Sequence, residues 1–147
     1  MKLSVIAAAG LLSFPVASVS AQSVTDAQIA SIVVTANQVD IDAGKLAASR
    51  STNDKVKAFA QLMITDHTSV NKSATDLAAH LNVTPQDNST SQSLKSGGET
   101  NIAHLKTLTG DAFDKAYIDH EVAYHQQVID ALDKLSLIHI SEPTRPY

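Results

Sequence analysis

Two histidines stand where the sequence otherwise places apolar side chains. The series Val56, Phe59, Met63, His67, Val70, Ala74 and Leu77 recurs at helical spacing with His67 as its one polar member, and Ile118, Val122, His125, Ile129 and Leu132 carry His125 in the same way. An imidazole in such a position either completes a hydrogen-bonded network or offers a nitrogen lone pair to a metal ion. Glu121 lies four residues before His125 and so shares its helix face. Asp40 interrupts a third series, Val33, Ala36, Asp40, Ala43 and Ala47. Two imidazoles and two carboxylates suit Fe, Mn, Zn or Cu, because nitrogen and oxygen donors together satisfy borderline and harder divalent ions. The same four residues would also serve as a structural polar network, with His67 bonded to Asp40, Glu121 or a backbone carbonyl.

Neighbouring residues qualify this reading. Met63, one turn before His67, reads as core filler, or as a bias toward copper if its sulfur faces inward. Asp66 sits about 100° round the helix from His67 and reads as a solvated charge or a partner of the histidine. His80 and His104 have no matching partners and read as surface residues. Tyr117, His120 and Tyr124 share another face of the last helix and read as polar-tipped packing against a further helix, the alternative being a radical or proton relay.

Whether the four candidate ligands meet depends on the elements that carry them. Thr25 with Gln28 forms a capping box that opens a helix over about 26–49, with Ile29, Ile32, Val33, Ala36, Val39, Ala43, Leu46 and Ala47 at helical spacing. Ser51, Thr52 and Asn53 break the chain and cap a second helix that ends near Asn82. The polar run Pro85 to Ser93 reads as turn, and Gly97-Gly98 weakens any helix beyond it, so a short third helix is expected around Ile102, Leu105 and Leu108, closed by Gly110. Asp111 caps a fourth helix to about Lys134. The short link after the first helix makes an antiparallel hairpin, and the third segment returns the chain, so the fourth helix runs parallel to the second. Asn53 to His67 and Asp111 to His125 are both fourteen residues. Both rings therefore lie ~21 Å along their helices and level with one another. Asp40, about ten residues before the hairpin, comes at ~15 Å, near Glu121 and a turn from the histidines.

Composition narrows the function. The chain has 147 residues, 44% hydrophobic against 18% charged, enough apolar material for one domain with a core. Its net charge of −4, without a basic cluster and with few aromatic residues, argues against nucleic-acid binding. With no cysteine there is no disulfide, thiolate site, thiol nucleophile or lipid-modified anchor. No serine stands in a GxSxG turn, and the few aromatics do not furnish a sugar cleft, so the sequence assigns no catalytic residue.

Both ends read as foreign to the fold. Residues 1–21 have an early Lys2, an apolar run from Leu3 to Val16 and small residues at Val19 and Ala21, the pattern of a secretory signal peptide cleaved after Ala21. The run is interrupted by Ser4, Gly10, Ser13 and Pro15 and falls short of the ~20 residues a bilayer span needs, so no permanent membrane span is expected. The mature protein is expected in the periplasm or secreted. From Leu135 the chain reads LSLIHISEPTRPY, which up to Arg145 resembles the translation of a transposase sequencing adapter. On that reading the domain is residues 22–134, 135–147 are not native, His139 and Tyr147 carry no function, and a native last helix is missing. The other reading is a native strand and proline-rich tail.

A family resemblance runs through the core of the chain. VKAFAQLMITDHTSVNKSATDLA from Val56 to Ala78, with Phe59, Met63, Asp66 and His67, resembles the exported bacterial domain-of-unknown-function family 4142. Gly110, Phe113, Asp114, Tyr117 and Ile118, followed by His125, resemble that family's second signature. The likeness covers nearly all of Thr25 to Lys134. It implies a ferritin-like antiparallel helical bundle, all-α, in the cell envelope, and no defined activity. The chain departs where Asp40 stands at a position often Glu in the family, and where a further helix is expected after the fourth. The ferritin-type Glu-x-x-His motif is lacking, since Ile64 and Val122 stand three residues before the histidines, so di-iron chemistry is not expected. The expected function is a noncatalytic binding or stress-related domain. The alternative is a metal-dependent redox or metal-handling protein with His67, His125, Glu121 and Asp40 as ligands. A homo-oligomer is left open.

Overall fold

In a computed structural model the backbone is described for residues 24–140 and the side chains for residues 24–133. The expected signal peptide and residues 141–147 of the tail lie outside these. The described chain is an all-α helical bundle of α1 (Asp26–Arg50), α2 (Asp54–His80), α3 (Ser89–Lys106) and α4 (Gly110–Ile140).

Local chemistry sets most of the helix ends. The Thr25 hydroxyl accepts from the Gln28 amide and the Gln28 side chain accepts from the Thr25 amide, the reciprocal cap expected for α1. The Asn53 side chain accepts from the Lys55 N–H and opens α2. Leu81 caps α2 at its other end, and Asn82 at φ +54° turns the chain out of the helix. Gly110 at φ +56° makes the turn into α4.

Three expectations need correction. The third helix is not short: Asn88 caps it through a reciprocal pair with Ser91, inside the run read as turn, and it continues for 18 residues through both glycines. Gly98 is there because α3 approaches α1 closely; a Cβ built on it would lie 2.7 Å from Val39 Cγ2. The fourth helix does not stop at Lys134 but continues to Ile140. The third correction concerns faces. Val70, Leu77, Leu81, Val122, Ile129 and Leu132 are exposed. On α4 the inward face is Phe113, Tyr117, Glu121 and Tyr124 instead. Tyr117 and Tyr124 are thus core residues and not a surface awaiting another helix.

The helices run up, down, up and down. At one end Arg50 of α1 donates to the carbonyls of Lys106 and Leu108 and its guanidinium lies 5.6 Å from the Phe113 ring centroid. At the other end the Gln86 amide donates to the Ala27 carbonyl and the Ser31 hydroxyl to Asp87. The second and fourth helices are therefore parallel, as expected. α1 touches all three others. Its small residues Ala43 and Ala47, with Ala60 of α2, let backbones come close, and Leu105, Phe113 and Tyr117 fill the remaining space. Gly44 is a close point of the α1–α2 contact: a Cβ there would lie 3.0 Å from the Ala60 carbonyl oxygen. No described helix is long and apolar enough to cross a membrane.

Candidate metal centre

Asp40, His67 and His125 come from three helices and offer one ligand atom each within 4.8 Å of one another. The ring centroids of His67 and His125 are 5.5 Å apart with planes at 68°. Parallel α2 and α4 make this meeting possible: α4 opens at Gly110, with Asp111 in its first turn and not its cap, so His67 stands 13 residues beyond the first residue of α2 and His125 15 beyond that of α4, at similar depths. Asp40 Oδ2 lies 3.4 Å from His67 Nδ1, closer than the one-turn offset expected from counting along α1. Ligands bonded at ~2.0–2.2 Å to one ion stand within roughly 4 Å of each other, so small side-chain rotations would bring the three atoms onto it.

Glu121 stands just outside this group. Its Oε2 is 3.8 Å from His125 Nδ1, and its side chain is 2% exposed. Neither of its oxygens has a hydrogen-bond partner among the described residues. Asp40 and Glu121 reach one another by a hydrogen bond only when one of them holds a proton, since two carboxylates have nothing to donate. Burial, then the Asp40 charge and the hydrogen bond to Asp40, push the Glu121 carboxyl up to about 8. Burial also raises Asp40, against the opposing pull of His67 and His125.

The site is open on one side. The His67 side chain is 18% exposed and that of His125 40%, so the second ring sits at the margin of the core and not within it. The inner wall is aromatic. Tyr124 donates its hydroxyl to the Ala36 carbonyl over 3.1 Å and meets the His125 ring edge-on at 6.4 Å. Tyr117 is fully buried, with its hydroxyl unpartnered among the described residues. Burial and the nearby carboxylates raise both phenols above their ordinary range.

Other candidates fall where their chemistry allows. Met63 is half-buried with its Cβ against Gly44, Asp66 is exposed, and so are His80 and His104. His120 stacks on Tyr124 at 5.8 Å, apart from the ligand group, and burial lowers its pKa.

A family model described as a domain of unknown function, DUF4142, matches residues 12–139, which include both sequence signatures. The chain belongs to the DUF4142 family. No curated protein and no solved structure matches it. In this DUF4142 chain the first signature supplies His67 on α2, and the second supplies Tyr117 and His125 on α4. One contributor lies outside both. Asn37 of α1 is buried, its Oδ1 is 2.7 Å from His67 Nδ1, and its Nδ2 donates to the Val33 carbonyl at 2.8 Å. The available signal was a polar residue three positions before Asp40 on the inward side of the first helix.

Proposed function

We propose that this DUF4142 protein binds a divalent transition metal ion at Asp40, His67 and His125, with Glu121 as an additional carboxylate beside the ion. One observation carries the reading: Asp40 and Glu121 are buried side by side, 3% and 2% exposed, the basic side chains beside them among the described residues are His67 and His125, and neither Glu121 oxygen has a hydrogen-bond partner there. A structural network would supply hydrogen-bond donors to the Glu121 oxygens, because a buried polar atom without a partner is costly. A divalent cation supplies what these oxygens lack. Two imidazoles and one carboxylate with open positions form a ligand set used for Fe(II), and three protein ligands plus exchangeable solvent also suit Zn(II).

The binding function requires no catalysed reaction, and metal handling is the role proposed. The signal-like first 21 residues support placing that role outside the cytoplasm, in the periplasm or the secreted fraction.

Titrating the untagged, metal-free protein with Co(II) tests the reading by visible absorption. Ligand-field bands that saturate at one equivalent, and are absent from Asp40→Asn and His67→Ala variants with unchanged far-UV spectra, are expected. A spectrum indistinguishable from aqueous Co(II) would overturn it.

A further inference from the structure

Asn37 has an amide whose orientation is dictated from both sides. Its Nδ2 lies 2.8 Å from the Val33 carbonyl oxygen and its Oδ1 lies 2.7 Å from His67 Nδ1. Turning the amide over would press Oδ1 against the Val33 carbonyl, two acceptors at bonding distance with no hydrogen between them. Oδ1 therefore faces the ring, and because it can only accept, His67 Nδ1 must be the protonated nitrogen. The lone pair of the neutral imidazole is then on Nε2. The second histidine is set in the same way by its backbone: His125 Nδ1 lies 2.8 Å from the Glu121 carbonyl oxygen, so its Nε2 also carries the lone pair.

We propose that Asn37 is a positioning residue of the metal centre, holding the His67 ring with its hydrogen on Nδ1 so that Nε2 is the nitrogen presented to a divalent transition ion. The inference rests on the metal-binding reading of the site. Asn37 makes no bond to the ion. It acts through His67, by fixing the tautomer and the ring plane before the ion arrives, the role outer hydrogen-bond partners play for ligating histidines elsewhere. Asp40 Oδ2, at 3.4 Å from the same Nδ1, makes the longer of the two contacts to it.

Two measurements on the whole chain test this. Long-range ¹H–¹⁵N correlation spectra of the metal-free protein, taken about two pH units above the ordinary histidine pKa of ~6.5, report the His67 tautomer directly. The Nδ1–H form is expected in wild type, and a mixture or the Nε2–H form in Asn37→Leu. Asn37→Ala substitutes for the leucine variant if that does not fold. In competition titrations with Zn(II), Asn37→Leu is expected to bind about 10–100-fold more weakly than wild type. A purely structural asparagine would move the melting temperature without moving the tautomer. A wild-type His67 in the Nε2–H form, Zn(II) bonded through Nδ1, or Asn37→Leu binding Zn(II) as tightly as wild type would overturn the proposal. If wild type binds no Zn(II), the metal reading fails, and the tautomer spectra alone decide whether Asn37 sets the ring.

Discussion

Asp40 on α1 and Glu121 on α4 face each other in the interior as an acid pair, and one proton between them is what allows their carboxyl groups to hydrogen bond. That relation makes the stability of the metal-free protein depend on pH. The unfolded chain releases the Glu121 proton near the ordinary 4.5, while the fold holds it to about 8. Across that window the folded state binds more protons than the unfolded state, so stability falls as pH rises. Asp40, raised chiefly by burial, acts in the same sense. His120, lowered by burial, acts oppositely only below its ordinary value of 6.5.

Glu121→Gln isolates the effect. An amide donates to Asp40 without carrying charge, so above pH 8 the variant is expected to melt about 5 °C or more above wild type, with the difference shrinking toward pH 5. Thermal melts in chelator across that range measure it. Parallel curves for the two proteins would contradict the assignment.

The two adjacent glycines of α3 should respond with opposite signs. A Cβ on Gly98 would meet Val39 Cγ2 at 2.7 Å, whereas nothing lies within 4 Å of one on Gly97. Gly98→Ala is expected to cost about 1–3 kcal/mol through overpacking. Gly97→Ala should gain about 0.5–1 kcal/mol from helix propensity. Urea unfolding of both variants checks this, and equal midpoints would count against the close α1–α3 contact.

Much of this was legible along the chain, and the limits have physical causes. Thr25, Gln28 and Asn53 announce helix starts because capping is local chemistry. The short link after α1 makes α1 and α2 antiparallel, and the return of the chain through α3 makes α4 parallel to α2, which brings His67 and His125 to similar depths. The length of α3 was hidden because the need for Gly98 exists only once Val39 lies against it. Two inward stripes compete on α4. Periodicity favours Val122, Ile129 and Leu132, which are exposed, while packing against α1 and α3 selects Phe113, Tyr117, Glu121 and Tyr124. Asn37 showed in the sequence only as a polar residue on the inward side of the first helix, since its importance lies in a bond to a ring thirty positions away.

The tyrosines of that inward stripe should separate by their hydroxyl partners. Tyr124→Phe loses the bond to the Ala36 carbonyl and is expected to cost about 1 kcal/mol. Tyr117→Phe removes a buried hydroxyl that has no partner among the described residues and is expected to be neutral or stabilising by up to about 1 kcal/mol. Denaturant melts of the two single variants decide the order, and a larger loss at Tyr117 would show that its hydroxyl is satisfied.

The most direct measurement is elemental analysis of the untagged protein after loading with a transition metal and exhaustive dialysis. About one ion per chain is expected in wild type, and none in the folded His67→Ala, His125→Ala double variant. A wild-type protein without a stoichiometric ion, or a double variant that keeps one, would show that the paired histidines and buried carboxylates are not a metal centre.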